Sequence, residues 1–105
     1  MTLITQYVTI TNIIISFQDK ETEKICEQQY SRKLPGYIQR IGLRKLIIIN
    51  RAKDLEDLRI SPGNKLEKLT GDRQDQFSIR INNQWRICFY WKNGVASFVE
   101  ITDYH

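Results

Sequence analysis

The chain has 105 residues, a mass of 12.5 kDa, 41% hydrophobic residues and 27% charged ones. That supports one domain with one modest core, and it excludes collagen, a disordered chain, a coiled coil or a membrane span. Sixteen Lys and Arg against twelve Asp and Glu leave a net charge of +4, which favours an anionic partner without naming one.

Residues 1–12 carry no charged side chain. Thr2, Thr5, Gln6, Thr9, Thr11 and Asn12 interrupt the apolar residues, so the segment reads as neither a secretory signal nor a bilayer span. An extra edge strand and a loose extension are both open readings. The extension is preferred, with a single domain over residues 13–105. Ile13-Ile14-Ile15-Ser16-Phe17 is β-branched and aromatic and reads as a first strand. Asp19 is a good N-cap, and Glu21 and Glu23 follow where the helix dipole favours carboxylates, so a helix is expected over about residues 20–29. Pro35 opens a second helix, which runs to about Ala52 on the stripe Tyr37, Ile38, Ile41, Leu46 and Ile49. The run Leu46-Ile47-Ile48-Ile49 also suits a strand, but no turn signal separates it from residues 39–45. The opposite side of this helix offers Arg40 and Arg44, one turn apart. Residues 54–59 read as a short helical turn, and Ser61-Pro62-Gly63-Asn64 as a loop.

From Lys65 the pattern turns to β. Leu66 and Leu69 flank a short strand that stops at Gly71-Asp72, residues 77–81 and 85–91 alternate cleanly, and a last strand runs from Val95 to about Asp103. The order predicts an α+β domain: a mostly antiparallel sheet with two N-terminal helices packed on one face. Cys26 and Cys88 make neither a disulfide framework nor a thiolate zinc site, and both are expected to stay reduced in the cytosol.

Turn lengths predict the registers. A three-residue loop at Asn82-Asn83-Gln84 sets Ile81 against Trp85, Ile79 against Ile87 and Phe77 against Phe89, which makes one apolar face. Arg80 and Arg86 are then opposed on the other face. Like charges there are destabilising unless they hold an anion, are solvated, or are neutralised by a carboxylate. A second three-residue loop, Lys92-Asn93-Gly94, sets Trp91 against Val95, Ile87 against Val99 and Trp85 against Ile101, and it lands Glu100 beside Arg86. Asp103, Tyr104 and the sole histidine, His105, then finish beside the Trp85–Arg86 end of the neighbouring strand.

No serine stands in a nucleophile-elbow setting, no metal-ligand spacing occurs, and no glycine loop cradles a phosphate. Acid–base chemistry on an anion remains. His moves protons near neutral pH, Arg stabilises charge on a phosphate, and Tyr stacks on a base. Taken one by one, the same residues also read as a frayed terminus, a solvated cation and plain packing. Lys65, Lys68 and Arg73, with Arg40, Arg44 and Lys45, add positive charge, and only their clustering favours an RNA groove.

Several segments carry a resemblance. They include Arg32-Lys33-Leu34-Pro35, Pro62-Gly63-Asn64-Lys65-Leu66, Leu69-Thr70-Gly71-Asp72-Arg73, Ser78-Ile79-Arg80-Ile81-Asn82, Gln84-Trp85-Arg86-Ile87 and Asp103-Tyr104-His105. From about Ile14 to His105 the chain resembles the HigB branch of the RelE/ParE toxin superfamily, graT-type HigB toxins in particular. The resemblance implies a compact RelE-like fold with a twisted sheet, and a cytoplasmic toxin of a type II toxin–antitoxin system. It implies cleavage of mRNA on the ribosome, with no metal or other cofactor, and a HigA-like helix-turn-helix antitoxin as partner. Asp103, Tyr104 and His105 match terminal residues tied to catalysis. Arg86 matches the strand arginine that stabilises the phosphate, and Arg73 matches an arginine assigned to RNA contact. Arg80, Lys65 and Lys68 complete the expected RNA-binding set. Two positions depart from the pattern: Thr70 stands where many HigB toxins have Lys, and Glu67 where some have His. The departures leave open a catalytically weak binding module acting on the ribosome or the antitoxin. A gyrase inhibitor of the ParE type is the other alternative.

Overall fold

The structure is a computed structural model and describes residues 13–104; the expected extension over residues 1–12 and the terminal His105 lie outside the described residues. Three helices, α1 (Lys20–Cys26), α2 (Gly36–Arg51) and α3 (Glu56–Ile60), precede an antiparallel sheet. Its strands β1 (Glu67–Lys68), β2 (Gln76–Arg80), β3 (Trp85–Lys92) and β4 (Val95–Asp103) lie in sequence order.

Asp19 caps α1 as the sequence predicts, its carboxylate accepting from the Thr22 N–H at 2.7 Å. The helix is shorter than expected because Gln28 turns left-handed at φ 64°. The Gln28 and Gln29 N–H groups then bond back to the Ile25 and Lys24 carbonyls, which closes the last turn. Helix α2 absorbs the ambiguous run 46–49. Its Ile38, Leu46 and Ile49 are fully buried against Ile79, Ile87, Phe89 and Val99 of the sheet. A Cβ on Gly42 would lie 3.4 Å from Ile101 Cδ1, so the absent side chain lets helix and sheet approach closely. Burying this set against water is the main source of stability, about 1.5–3 kcal/mol for each large aliphatic side chain.

The expected first strand is reduced to two isolated parallel bridges, Ile14 with Ala96 and Phe17 with Val99. Its hydrogen bonds still form in pairs on β4, Ile15 N to Ala96 O and Gln18 N to Val99 O, both at 2.9 Å. A bulge in β4 separates the two pairs and prevents a continuous ladder.

The β2–β3 register is the predicted one, with Phe77 opposite Phe89, Ile79 opposite Ile87 and Arg80 opposite Arg86. The β3–β4 register is not. The turn has two residues, since Lys92 pairs with Val95, and Asn93 (φ 53°) and Gly94 (φ 79°) both take left-handed backbone. The bulge then inserts one more residue near Phe98, itself at φ 50°. Each error shifts the pairing by one. Together they shift it by two, which preserves the faces and moves the partners. Ile87 opposes Ile101, Arg86 opposes Thr102, and Trp85 opposes Asp103. The bulge also lets Ala96 and Val99, three positions apart, both face the core.

Candidate functional site

Strand alternation separates the two faces of β3. Ile87 and Phe89 go into the core under α2; Arg86 and Cys88 go to the other face. On that face, held between β1, β2 and the end of β4, sits the Arg86 guanidinium. Nε donates to Ser78 Oγ at 2.7 Å, and Nη2 donates to the Lys65 carbonyl at 2.7 Å. Glu67 Oε1 lies 3.6 Å from the same Nη2, and the Tyr104 ring lies under the guanidinium with Cζ 5.9 Å from its centroid. Only 12% of the side chain is exposed. Among the described residues no partner takes Nη1. Arg86 is therefore a preorganised cation with donors in reserve.

Three elements fix it. Ser78 is fully buried on β2, two residues from Arg80. Lys65 is left-handed (φ 43°) just after the Pro62–Asn64 turn, which turns its carbonyl toward Arg86. Asn64 is fully buried and anchors that turn: Nδ2 donates to the Leu58 carbonyl at 3.0 Å, and Oδ1 accepts from Lys45 Nζ at 2.5 Å. Tyr104 is placed by its own N–H, which donates to the Gln84 carbonyl at 2.8 Å.

The remaining expected residues distribute themselves around this centre. Arg80 is opposite Arg86 but diverges from it, its guanidinium donating to the Asn82 carbonyl and to Asn83 Oδ1 in the hairpin turn. That divergence relieves the like-charge conflict. Glu100 does not stand beside Arg86. The shifted register puts it opposite Cys88, where it binds Arg73 Nη1 at 3.1 Å, with Gln76 Oε1 at 3.0 Å on the same nitrogen. Arg73 is thus neutralised by a carboxylate and lines an open groove of about 1240 Å³ with Lys68, Tyr90 and Phe98, beside the Arg86 centre rather than within it. Lys65 contributes its backbone carbonyl; its side chain is exposed. Asp103 alternates away from Tyr104, opposite Trp85, and its Oδ2 accepts from Gln84 Nε2 at 2.9 Å. Sequence reasoning missed Ser78 and Asn64. Their only signals were a small polar residue on an otherwise alternating strand and an Asn closing a Pro-Gly turn.

The base of this face is dry, with Ser78 and Cys88 fully buried. Burial pushes the Cys88 thiol up to about 11, so it is neutral at physiological pH beneath Arg73 and Arg86. Among the described residues no group of three or more His, Cys, Asp or Glu is placed to hold a metal ion, and no helix is long and apolar enough to cross a membrane. A fixed guanidinium backed by an aromatic ring can bind a phosphate, support its developing charge and offer a stacking surface to a base.

Comparison with known proteins gives consistent matches. Residues 15–105 match a family described as HigB-like toxin, the RelE-like toxin of the type II toxin–antitoxin system HigB. The chain is 41% identical over 83 residues to Toxin HigB-1 of Vibrio cholerae serotype O1, spanning 78% of this chain and 87% of that protein. It is 33% identical over 94 residues to Endoribonuclease HigB of Proteus vulgaris, spanning 89% of this chain and 100% of that protein. A chain of the YoeB–YefM complex from Staphylococcus aureus superposes with a TM-score of 0.56, covering 90% of this chain and 98% of that one at 23% identity, a likeness of fold.

Proposed function

The chain belongs to the HigB-like family of RelE-like toxins of type II toxin–antitoxin systems, and from that premise we propose that it is an endoribonuclease that cuts mRNA on the ribosome. The observation that carries this reading is the Arg86 guanidinium, held from two sides and seated on Tyr104 with Nη1 unclaimed among the described residues. A scissile phosphate docks on Arg86, which supports the charge that builds as the 2′-hydroxyl attacks. Tyr104 carries the base next to the break. Proton transfer is assigned to His105 with Asp103, on the match of the terminal Asp-Tyr-His to the family pattern. Arg80, Lys65, Lys68 and Arg73 hold the strand by its phosphates. Glu67 competes for Arg86, and its carboxylate, 56% exposed, must swing aside for RNA to bind.

Its toxicity is held in check by an antitoxin, proposed to be a HigA-like helix-turn-helix protein, and its site of action is the cytoplasm. The toxin domain is assigned to residues 13–105, with residues 1–12 as an extension. Controlled induction followed by mapping of transcript ends tests the mechanism. Ends clustered inside translated codons are expected. Equal cleavage of ribosome-free RNA would refute the ribosomal step, and a DNA-damage response with intact transcripts would point to gyrase instead.

A further inference from the structure

Helix α2 presents an exposed line made of Tyr37, Arg40, Arg44, Ile47 and Arg51, at steps of three and four residues. The helix contains no Asp or Glu. Its first turn holds no carboxylate, although the helix dipole favours one there. Arg40 and Arg44 are an i,i+4 like-charge pair, a spacing that costs a helix a few tenths of a kcal/mol where an opposite pair would stabilise it by as much. Burial lowers the pKa of Lys45, and Arg44 beside it lowers it further. Four arginines of α3, the sheet and the turn before β2 find partners: Arg59 on Glu56, Arg73 on Glu100, Arg80 on Asn82 and Asn83, and Arg86 on Ser78. The guanidiniums of Arg40, Arg44 and Arg51, like that of Arg32 in the loop before α2, have no partner among the described residues. Arg51 lies in the last turn, where the helix dipole favours a cation, but the Arg40–Arg44 pair gains nothing from its neighbours in the helix.

We propose that the outer face of α2 grips the phosphate backbone of folded RNA, and that this is the surface by which the toxin holds the ribosome while Arg86 works on the opposite side. The proposal rests on the ribosomal reading above. Geometry separates the two surfaces, because α2 covers the core face of the sheet and Arg86 projects from the other. Successive turns of a helix are about 5.4 Å apart, so the three guanidiniums are spread along about 16 Å as a row of phosphate forks. The charge favours RNA over an acidic protein segment for a second reason. Tyr37 and Ile47, 67% and 38% exposed, are ten residues apart with arginines between, and form no contiguous apolar centre of the kind protein interfaces bury.

The test is the triple variant Arg40→Gln, Arg44→Gln, Arg51→Gln, made in the full chain. Binding to mRNA-programmed ribosomes is measured across a salt series, with cleavage at saturating ribosomes and antitoxin affinity measured alongside. The expected result is affinity reduced by about tenfold or more and a salt slope reduced by ~2–3, with saturated cleavage and antitoxin affinity unchanged. Unchanged ribosome affinity and slope would overturn the proposal. Lost antitoxin affinity with intact ribosome binding would also overturn it and assign the face to an acidic protein segment. If the unaltered toxin cleaves free RNA equally well, the ribosomal function fails by that result, and the same slope measured on an RNA hairpin decides the α2 surface separately.

Discussion

Replacing Arg86 by Lys keeps the charge and removes the fork. The guanidinium reaches Ser78 Oγ and the Lys65 carbonyl at once, each at 2.7 Å, while one ammonium satisfies at most one of them in that geometry. A charge-assisted hydrogen bond contributes about 1.5–3 kcal/mol, and with 12% of the side chain exposed little water replaces the lost one. A stability loss of about 2 kcal/mol follows, seen as a fall of ~8–16 °C in Tm for a domain of this size. Catalysis should fall further than stability. Removing one preorganised donor from a developing oxyanion costs about a hundredfold to a thousandfold, so Arg86→Ala loses that much, and Arg86→Lys, with its charge displaced, loses about tenfold to a hundredfold. Single-turnover cleavage on programmed ribosomes, well below every melting point, measures this. Wild-type cleavage by the Lys variant would refute the argument that the fork's geometry, and not its charge alone, serves the site.

Glu67→Gln removes the carboxylate that lies 3.6 Å from Arg86, so RNA binding should tighten and cleavage rise a few-fold, read as a lower KM. Tyr104→Phe keeps the ring under the guanidinium and should cleave nearly as the parent, whereas Tyr104→Ala loses about 0.5–1 kcal/mol of cation–π contact and slows cleavage; equal losses in both variants would assign the role to the hydroxyl instead. Asn64→Ala leaves the Leu58 carbonyl and Lys45 Nζ without their partner in the core and should cost about 1–3 kcal/mol in denaturant unfolding. The Cys88 thiol keeps its proton in the fold up to about 11, while the unfolded chain releases it near 9.0. The unfolded state thus holds fewer protons in that window, so the stability linked to Cys88 is complete below about pH 9 and is lost as pH rises toward 11. Cys88→Ala should flatten that alkaline limb of the unfolding curve, and an unchanged limb would contradict the assignment.

Local chemistry made much of this protein legible before any coordinates. Asp19 and Pro35 mark helix starts because capping and the missing proline N–H act within one turn. The three-residue loop at 82–84 sets the β2–β3 register because alternation and loop length agree, and it places Arg80 across from Arg86. Asp103 and Tyr104 do reach the Trp85 end of β3, although through a register other than the expected one. The β3–β4 pairing escaped because Asn93-Gly94 makes a two-residue turn and Phe98 adds a bulge. Those errors cancel in face and add in register, which no pattern of alternation reveals.

Where each charge ends up was decided by the tertiary structure. Arg73 meets Glu100 across 27 positions, and Arg86 meets Ser78 and the backbone of Lys65, partners 8 and 21 positions away. Residues 13–17 have the composition of a strand yet form only two bridges, because the strand they join carries the bulge. Period and composition report what a residue prefers with its neighbours in the chain. Which guanidinium is neutralised and which keeps donors in reserve depends on side chains that only folding brings within a few ångströms of each other.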